Sequence, residues 1–402
     1  MLTVKSSEET LEICRKEFGD IRTPCETVPL ESASGRAVFE DIAADQYIPG
    51  FNRTTVDGLA VIAADTFGSS DTIPAQLIFK GDIPMGVKSS ICIASGECTS
   101  ISTGGELPQG ADAVVMVENT EDFGDGFRYI LKPVAPGENI VRKGDDVCPG
   151  KPVIKQSVRI NAKDIGALAA LGITDVPVYK KPVVAIISTG DEIIPADKTP
   201  EGAQMRDVNS HMIAAAVKNC GGEPLTAGIV KDDEEALSAA VTEFLPQCDI
   251  LIISGGSSAG ERDITAKIIN RLGKVLLHGI AVKPGKPTVI GNISGKPVFG
   301  LPGHPVSAWF VFQLFVRPLI CSMNATEPVQ HTRPGILGIN LPSNHGREEY
   351  VPVKIQKDGL TVLPVPIKSG LITLLTQADG FVKIERNREG LAKNEEVTVY
   401  LF

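Results

Sequence analysis

The sequence predicts a multidomain α/β protein, in which an α/β domain with a parallel sheet is preceded and followed by β-rich regions. Three observations predict this fold class. The chain has 402 residues, which corresponds to about two to four domains at roughly 150 residues each. Strand and helix patterns alternate from Lys181 to about Ile320, as they do in βαβ units. On both sides of that region, short apolar segments are separated by Gly, Pro and Asp clusters, which is typical of β-rich domains.

Composition and charge exclude several classes of protein. Hydrophobic residues make up 43% of the chain and charged residues 22%, which excludes a disordered chain. The net charge is −10, so we expect no nucleic-acid partner, because nucleic-acid binding needs a clustered cationic face. Glu8 and Glu9 occur before any apolar segment that could be the core of a secretory signal. The longest uncharged stretch, 305–316, has twelve residues. We therefore expect a cytoplasmic protein without a secretory signal or a membrane span.

The N-terminal part predicts a β-rich block between two helices. Ser6, with Glu9 three residues later, is typical of the start of a capped amphipathic helix that ends at Gly19. Short apolar segments run from about Thr27 to Val153, and helical spacing returns at NAKDIGALAALG. Because helices flank the block on both sides, we expect it to be inserted into a small helical domain.

The middle of the chain predicts the parallel sheet. Its candidate strands are PVVAIIS, PLTAGIV, CDILIIS, KVLLHGI, PTVIG and PVFGL. They are almost continuously apolar, which suits strands buried on both faces. The segments NSHMIAAAVKNCGG, DDEEALSAAVTEFL and DITAKIINRLG show helical spacing between them. The short strands GILGINL, YVPVKIQ, GLTVLPV and EVTVYLF then predict a small all-β module at the C-terminus.

The first candidate strand of this domain ends in STGDEI, which places Thr189, Gly190 and Glu192 at its carboxyl end. Ligands of open α/β sheets bind at that end of the strands. The alternative is an ordinary tight turn with solvated acidic side chains.

The third candidate strand ends in SGGSSAGERD. Successive backbone N–H groups in such a turn can form a nest that binds phosphate. The residues of this candidate nest are Ser254, Gly255, Gly256 and Ser257. An ordinary Gly-rich turn is the alternative.

Carboxylates follow three strand ends and predict either a magnesium site or helix caps. Glu192, Asp232 and Asp263 would lie beside the candidate nest. Carboxylates next to phosphate are unfavourable unless a divalent cation lies between them, and Mg²⁺ binds in this way. The alternative is N-capping, since Asp232, Asp233 and Asp263 all precede helices.

Two later motifs predict a pocket for an oxyanion. In VKPGKP, a Pro-Gly turn holds Lys283 and Lys286 close together, which suits an oxyanion, although a solvated loop is the alternative. In GLPGHPVSAWF, Pro305 begins an apolar helix and Ser307 offers a hydroxyl at its positive end. His304 is either a base or a structural side chain of the turn.

These four motifs, together with TTVDGLAV, SISTGGELPQGADAVVM and NIVRKGDDVCPG, resemble the molybdopterin molybdenumtransferase family, which includes MoeA and the gephyrin E domain. The seven motifs cover essentially the whole chain. The resemblance implies a linker domain in two parts (1–45 and 146–178), a β-rich lasso domain (46–145), a three-layer MogA-like α/β domain (179–323) and a C-terminal β-barrel (324–402). It also implies a homodimer in which the lasso domain of one protomer completes the cleft of its partner.

The resemblance further implies a reaction and its residues. Molybdate, or tungstate, would be inserted into adenylylated molybdopterin with Mg²⁺, releasing AMP, and an adenylyltransferase partner would supply the intermediate. The family's catalytic positions match Asp57, Thr103, Asp146, Glu192, Asp232 and Asp263. Three of them, Glu192, Asp232 and Asp263, match metal ligands. The substrate-binding positions match Thr189, Gly190, Ser254, Gly255, Gly256, Ser257, Lys283, Lys286, Pro302, His304, Pro305, Ser307, Arg347 and Ser369.

The chain departs from the family pattern at several positions. His304 stands where the family usually has Asn, which keeps the turn and adds a titratable side chain. Lys143 in KGDD replaces the arginine of the family's RGED, and the two side chains are not equivalent at a bidentate site. Three alternative functions share parts of the motif set: a gephyrin-like scaffold without turnover, the adenylyltransferase itself, and a nucleotide pyrophosphatase of the competence-damage type. Product analysis separates them.

Overall fold

In the computed structural model, residues 4–255, 264–366 and 368–402 are described. Three of the predicted site residues lie outside the described residues: Gly256, Ser257 and Asp263.

The first segment contains a helix that belongs to the packing of the α/β domain. Its elements are α1 (Ser7–Phe18), β1 (Cys25–Pro29) and β2 (Ile42–Ala43). Helix α1 begins as predicted, because the Ser6 side chain accepts from the Glu9 N–H at 3.1 Å and the Glu9 carboxylate accepts from the Ser6 N–H at 2.8 Å. Cys14 and Phe18 are buried in the main core of the α/β domain.

The inserted block is β-rich, as its short apolar segments predict. Its strands are β3 (Arg53–Thr54), β4 (Gly58–Val61), β5 (Ala75–Ile83), β6 (Glu97–Ile101), β7 (Ala113–Met116), β8 (Thr120–Glu121), β9 (Phe127–Ile130) and β10 (Ile140–Val141). Six of them form one sheet in the order β7-β4-β6-β5-β9-β8, and β3 pairs with β10. Leu59, Leu77 and Val115 contribute to its own core.

Strand pairs connect the segments that flank this block. After it come β11 (Pro152–Ile154), α2 (Ala162–Ala170) and β12 (Asp175–Tyr179). β12 pairs antiparallel with β1, and β11 pairs with β2. The expectation of a small helical domain is therefore wrong in this respect. Val176 and Val178 alternate with less buried residues and so form a strand, but this signal is only five residues long.

The α/β domain is a three-layer structure around a six-stranded sheet. Its elements are β13 (Val183–Thr189), β14 (Ile193–Ile194), β15 (Met205–Arg206), α3 (Asn209–Asn219), β16 (Glu223–Val230), α4 (Glu234–Phe244), β17 (Ile250–Ser254), α5 (Ile264–Leu272), β18 (Lys274–His278), β19 (Val282–Lys283), β20 (Val289–Ile293), β21 (Lys296–Leu301), α6 (Pro305–Val311), a π-helical segment (Phe312–Val316) and α7 (Arg317–Met323). The strand order is β16-β13-β17-β21-β20-β18. Val184 and Ile186 pack on one face of the sheet, and Ala185 and Ile187 pack on the other.

One strand of this sheet runs against the others. The pairs β13–β16, β13–β17 and β17–β21 are parallel, whereas β20 is antiparallel to both β21 and β18. The prediction of a parallel sheet is therefore wrong for PTVIG alone. β20 and β21 are joined by Ser294 and Gly295, whose φ angles of 52° and 82° are those of a two-residue hairpin turn. Such a connection is too short for the crossover that a parallel pair requires.

A long apolar helix lies under the sheet. Residues Pro305–Met323 form a helix that is long and apolar enough to cross a membrane, with a mean hydropathy of 1.5. However, 67% of that window is buried inside the protein, and Phe310, Phe312 and Phe315 are almost fully inaccessible. The segment is therefore a core helix, as predicted from 305–316, and it continues beyond the predicted end.

The C-terminal module is a closed barrel. Its elements are β22 (Thr332–Leu337), β23 (Leu341–Pro342), β24 (Glu348–Ile355), β25 (Thr361–Pro364), α8 (Ile372–Leu375), β26 (Gly380–Ile384), β27 (Gly390–Leu391) and β28 (Glu396–Leu401). The ring β24-β25-β22-β28-β26 closes because β26 also pairs with β24. Strand β19 of the α/β domain adds to β24 in parallel, which attaches the barrel to the α/β domain.

A buried carboxylate strengthens this attachment. Glu348 on β24 accepts hydrogen bonds from the Ser7 hydroxyl of α1 and from the Tyr350 hydroxyl, the latter at 3.0 Å. Its other oxygen lies 3.4 Å from the Lys383 ammonium. Burial raises the pKa of Tyr350, and the Glu348 carboxylate raises it further. For Lys383, burial lowers the pKa, but Glu348 and Glu385 raise it by more, so that it lies above its usual value.

This cluster predicts a loss of stability at alkaline pH. Above about pH 10, an unfolded chain releases protons from Tyr350 and Lys383 that the folded chain still holds, so the free energy of unfolding falls as pH rises. Thermal unfolding of wild type and Tyr350→Phe between pH 8 and 11 measures the contribution of the phenol. We expect a lower melting temperature for Tyr350→Phe at pH 8, because a hydrogen bond worth about 0.5–1.5 kcal/mol is lost, and a weaker decline with pH. Parallel declines in the two proteins would contradict this assignment.

Candidate functional site

A cavity of about 510 Å³ lies between the α/β domain and the barrel. Its walls are the 282–287 loop, the turn that precedes α6, and barrel residues on and around β24. Seven predicted substrate-binding residues line it: Lys283, Lys286, Pro302, His304, Ser307, Arg347 and Ser369. The structure thus brings together residues that lie up to 86 positions apart in the sequence, and we refer to this space as the anion cavity.

The anion cavity carries positive charge. Lys283, Lys286, Arg347 and Lys368 line it, and Glu349 is the one carboxylate among the described lining residues. Cations that converge in a cleft attract small anions, so this concentration of charge in an acidic chain suits an oxyanion. Sequence reasoning missed Lys368, although it directly precedes Ser369 in the KSGLITLL motif.

A glycine lets the 282–287 loop, which we call the lysine loop, pack closely against α6. Gly285 has a φ of 121°, and a Cβ at this position would lie 2.6 Å from a methyl group of Val311. Both the left-handed backbone and the close approach require glycine. The loop therefore holds Lys283 and Lys286 on the wall of the anion cavity.

Lys283 is paired with a carboxylate. Its Nζ lies 2.7 Å from Oε1 of Glu349, and the Ser343 hydroxyl donates to the other carboxylate oxygen at 2.5 Å. The β19–β24 pairing places Lys283 opposite Glu349. Sequence reasoning missed Glu349, whose only local signal is its place in GREEY, two residues after Arg347.

His304 connects the turn before α6 to the barrel. Its Nδ1 lies 3.0 Å from the Ser369 hydroxyl, and the Ser369 carbonyl accepts from the Val306 N–H at 3.1 Å. Helix α6 begins with Pro305 at its first position, as predicted. Ser307 is buried and lines the anion cavity, whereas Pro305 is not among the residues that line it.

The strand tips of β13 and β17 lie beside this turn. Ser188 and Ser254 are paired in the parallel sheet, so Thr189 and Gly255 follow at the same edge. The Thr189 hydroxyl lies 3.4 Å from Oδ1 of Asp232. The Gly255 N–H donates to the Leu301 carbonyl at 3.3 Å, so this group has a partner within the protein. The rest of the predicted nest lies outside the described residues.

The two acidic residues at these tips are held in different ways. Glu192 folds back over Gly190, where a Cβ would lie 3.0 Å from both carboxylate oxygens. The cap of helix α4 is Asp233, which accepts from the N–H groups of Glu235 and Ala236. Capping therefore does not explain Asp232, whose carboxylate faces Thr189 instead.

The donor chemistry of the tips suits magnesium. The described residues contain no group of three His, Cys, Asp or Glu side chains that could hold a metal ion, and the predicted ligand Asp263 is outside them. Mg²⁺ is commonly held by one or two carboxylates together with substrate phosphates and water. Glu192 and Asp232 fit that pattern.

Asn209 joins the strand tips to the anion cavity. Its Nδ2 donates to the Ser254 hydroxyl at 2.8 Å and to the Gly303 carbonyl at 2.9 Å. Gly303 lies between Pro302 and His304, which both line the anion cavity. Asn209 is 7% exposed, and sequence reasoning missed it because its role depends on two distant segments.

The three predicted residues of the inserted block lie elsewhere. Asp57 accepts from the Thr103 N–H at 2.7 Å, and both residues are exposed. The Asp146 N–H donates to the Ile48 carbonyl at 3.0 Å. Among the described residues, no hydrogen bond or ion pair connects these three to the anion cavity or to the strand tips.

These features define a multidomain α/β protein in which a cavity lined by cationic side chains lies next to the carboxyl ends of the parallel strands. Family models agree with this class: the MoeA N-terminal region (domain I and II) matches residues 5–172, a probable molybdopterin binding domain matches 185–321, and the MoeA C-terminal region (domain IV) matches 334–402.

Similar individual proteins show to which family the chain belongs. A putative molybdopterin biosynthesis protein of Methanocaldococcus jannaschii is 38% identical over 412 residues, covering 100% of this chain and 98% of its own. Molybdopterin molybdenumtransferase of Bacillus subtilis is 32% identical, covering 94% and 89%. A crystal structure of a molybdopterin biosynthesis MoeA protein from Pyrococcus horikoshii is similar with a TM-score of 0.86, 31% identity and full coverage of both chains. The chain belongs to the molybdopterin molybdenumtransferase (MoeA) family, several members of which are named as transferases. This confirms the resemblance drawn from the seven motifs.

The position of Asn209 predicts that it stabilises the site. In Asn209→Ala, the Ser254 hydroxyl and the Gly303 carbonyl lose their shared donor, and a buried polar group without a partner costs about 1–3 kcal/mol. We expect the midpoint of urea unfolding to fall accordingly, whereas the exposed control Asn344→Ala leaves it unchanged. Equal midpoints for Asn209→Ala and wild type would remove Asn209 from this role.

Proposed function

We propose that this chain inserts molybdate, or the similar dianion tungstate, into adenylylated molybdopterin with Mg²⁺, and releases AMP and the molybdenum cofactor. The observation that carries the proposal is the anion cavity, because seven predicted substrate-binding residues line this one cavity. Membership of the molybdopterin molybdenumtransferase family supports the same reaction. An adenylyltransferase partner would supply the intermediate.

The anion cavity would bind the oxyanion. Lys286 and Arg347 present positive charge to it, and Lys283 shares its charge between Glu349 and the cavity. Ser307 and Ser369 add hydroxyl donors. Groups of this kind, fixed before the substrate arrives, stabilise negative charge without reorganisation during the reaction.

The strand tips would hold the phosphorylated substrate. The Thr189 hydroxyl and the Asp232 carboxylate lie at the carboxyl ends of neighbouring strands, where ligands of α/β sheets bind. Glu192 and Asp232 would hold Mg²⁺, which supplies positive charge to the phosphates when it is bound. Asn209 connects this edge of the sheet to the turn that lines the anion cavity. The two substrates would therefore be held in a fixed orientation relative to each other. Fixing two reactants in this way supplies much of the rate acceleration of a two-substrate reaction.

The proposal includes a homodimer in which Asp57, Thr103 and Asp146 act on the partner's site. Asp57 is exposed and its carboxylate is fixed by the Thr103 N–H at 2.7 Å. Within one chain, no described contact leads from it to the anion cavity. An arrangement across two protomers would give these residues a substrate.

The reaction is tested with adenylylated molybdopterin, Mg²⁺ and either oxyanion by following AMP release. We expect Asp232→Asn to reduce AMP release by about 100-fold or more, because a charge-bearing ligand that acts in the transition state is lost. The matched control is Asp233→Asn, which keeps a good helix cap and should turn over normally. Equal activity of both variants would remove Asp232 from the mechanism, and wild type that releases no AMP would overturn the function in favour of a scaffold.

The same assay tests the homodimer. Asp57→Asn and Asp232→Asn are each expected to be inactive, but a mixture that has exchanged subunits contains heterodimers in which one site is intact. Recovery of AMP release in that mixture supports action across protomers. If the mixture stays as inactive as the separate variants, Asp57 and Asp232 serve the same protomer's site or the chain is not a dimer.

A further inference from the structure

The ion pair between Lys283 and Glu349 affects how strongly the cavity can bind an anion. The carboxylate lies 2.7 Å from the ammonium, and its side chain is 14% exposed, whereas that of Lys283 is 45% exposed. Ser343 holds the second carboxylate oxygen at 2.5 Å. Glu349 is thus fixed on both oxygens, while the ammonium still reaches the cavity.

Glu349 therefore presents a negative charge on the wall of a site that is otherwise cationic. An oxyanion that binds to Lys283 must share the ammonium with this carboxylate and is repelled by it. The repulsion is proportional to the charge of the bound anion. A dianion is consequently penalised twice as strongly, in free energy, as a monoanion of the same shape.

We infer that Glu349 is a specificity-determining positioning residue of the anion cavity: it holds Lys283 at the cavity wall and lowers the affinity for tetrahedral dianions relative to monoanions. This inference rests on the proposed oxyanion site and adds a residue to it that the motif comparison does not contain. The affinity that Glu349 removes keeps the cargo exchangeable, so that the oxyanion can leave Lys283 for its acceptor.

The test compares two tetrahedral oxyanions of different charge. Tungstate is the dianion and perrhenate the monoanion, and calorimetric titration gives the dissociation constant of each with the full-length protein. Glu349→Gln keeps the shape but removes the charge: its amide oxygen can still accept from Lys283, and its NH2 group can donate to the Ser343 hydroxyl, which then acts as the acceptor. We expect tungstate to bind about tenfold more tightly to the variant and perrhenate about threefold more tightly, since the fold-change for the dianion is the square of that for the monoanion.

Two control variants separate charge from structure. Glu349→Asp keeps the charge, so the ratio of the two dissociation constants should change less than it does in Glu349→Gln. Glu385→Gln removes the same charge from an exposed barrel carboxylate that lies 3.2 Å from Lys383, and it should change neither constant.

The outcomes separate the two proposals. If wild type binds tungstate but Glu349→Gln changes both anions equally, or weakens tungstate, then Glu349 is structural and the inference is wrong. If wild type binds neither anion, the proposed oxyanion site itself fails. A larger gain for tungstate than for perrhenate, confined to Glu349→Gln, supports the inference.

Discussion

The pairing of β19 with β24 is the constraint on which the rest of the site depends. It places Val282 opposite Glu348 and Lys283 opposite Glu349, so a two-residue strand of the α/β domain becomes part of the barrel's sheet. The anion cavity exists because this pairing holds the lysine loop and the barrel side by side. The buried Glu348 adds a second attachment, because it binds Ser7 of α1, and α1 in turn buries Cys14 and Phe18 in the core of the α/β domain.

The net charge of the chain is negative, but the charge around the anion cavity is positive. A net charge of −10 would repel an oxyanion, but the four cations of the anion cavity create a local field of opposite sign. The strand tips have the reverse character, with Glu192 and Asp232 at the carboxyl ends of the strands. The acidic tips favour a divalent cation and the cavity favours an anion, and Asn209 holds these two regions together.

Short-range sequence patterns were sufficient to predict many elements of the fold and several residues of the candidate site. The capping box of α1, five of the six sheet strands with their direction, and the lysines of VKPGKP depend on short-range patterns that the sequence displays. The pairing of β1 with β12 and the roles of Asn209 and Glu349 depend on contacts between distant segments. A single sequence carries no pattern for such contacts, because Asn209 and Glu349 look like ordinary surface residues until the fold brings Ser254, Gly303 and Lys283 to them.

The central claim is that the anion cavity is where the metal oxyanion binds, and the position of tungsten tests it most directly. Crystals grown with tungstate and measured at a tungsten absorption edge locate the metal by its anomalous signal. The account predicts a peak within contact distance of Lys286, Arg347 and Ser369. A peak only at the strand tips, or only on the outer surface of the barrel, would contradict it.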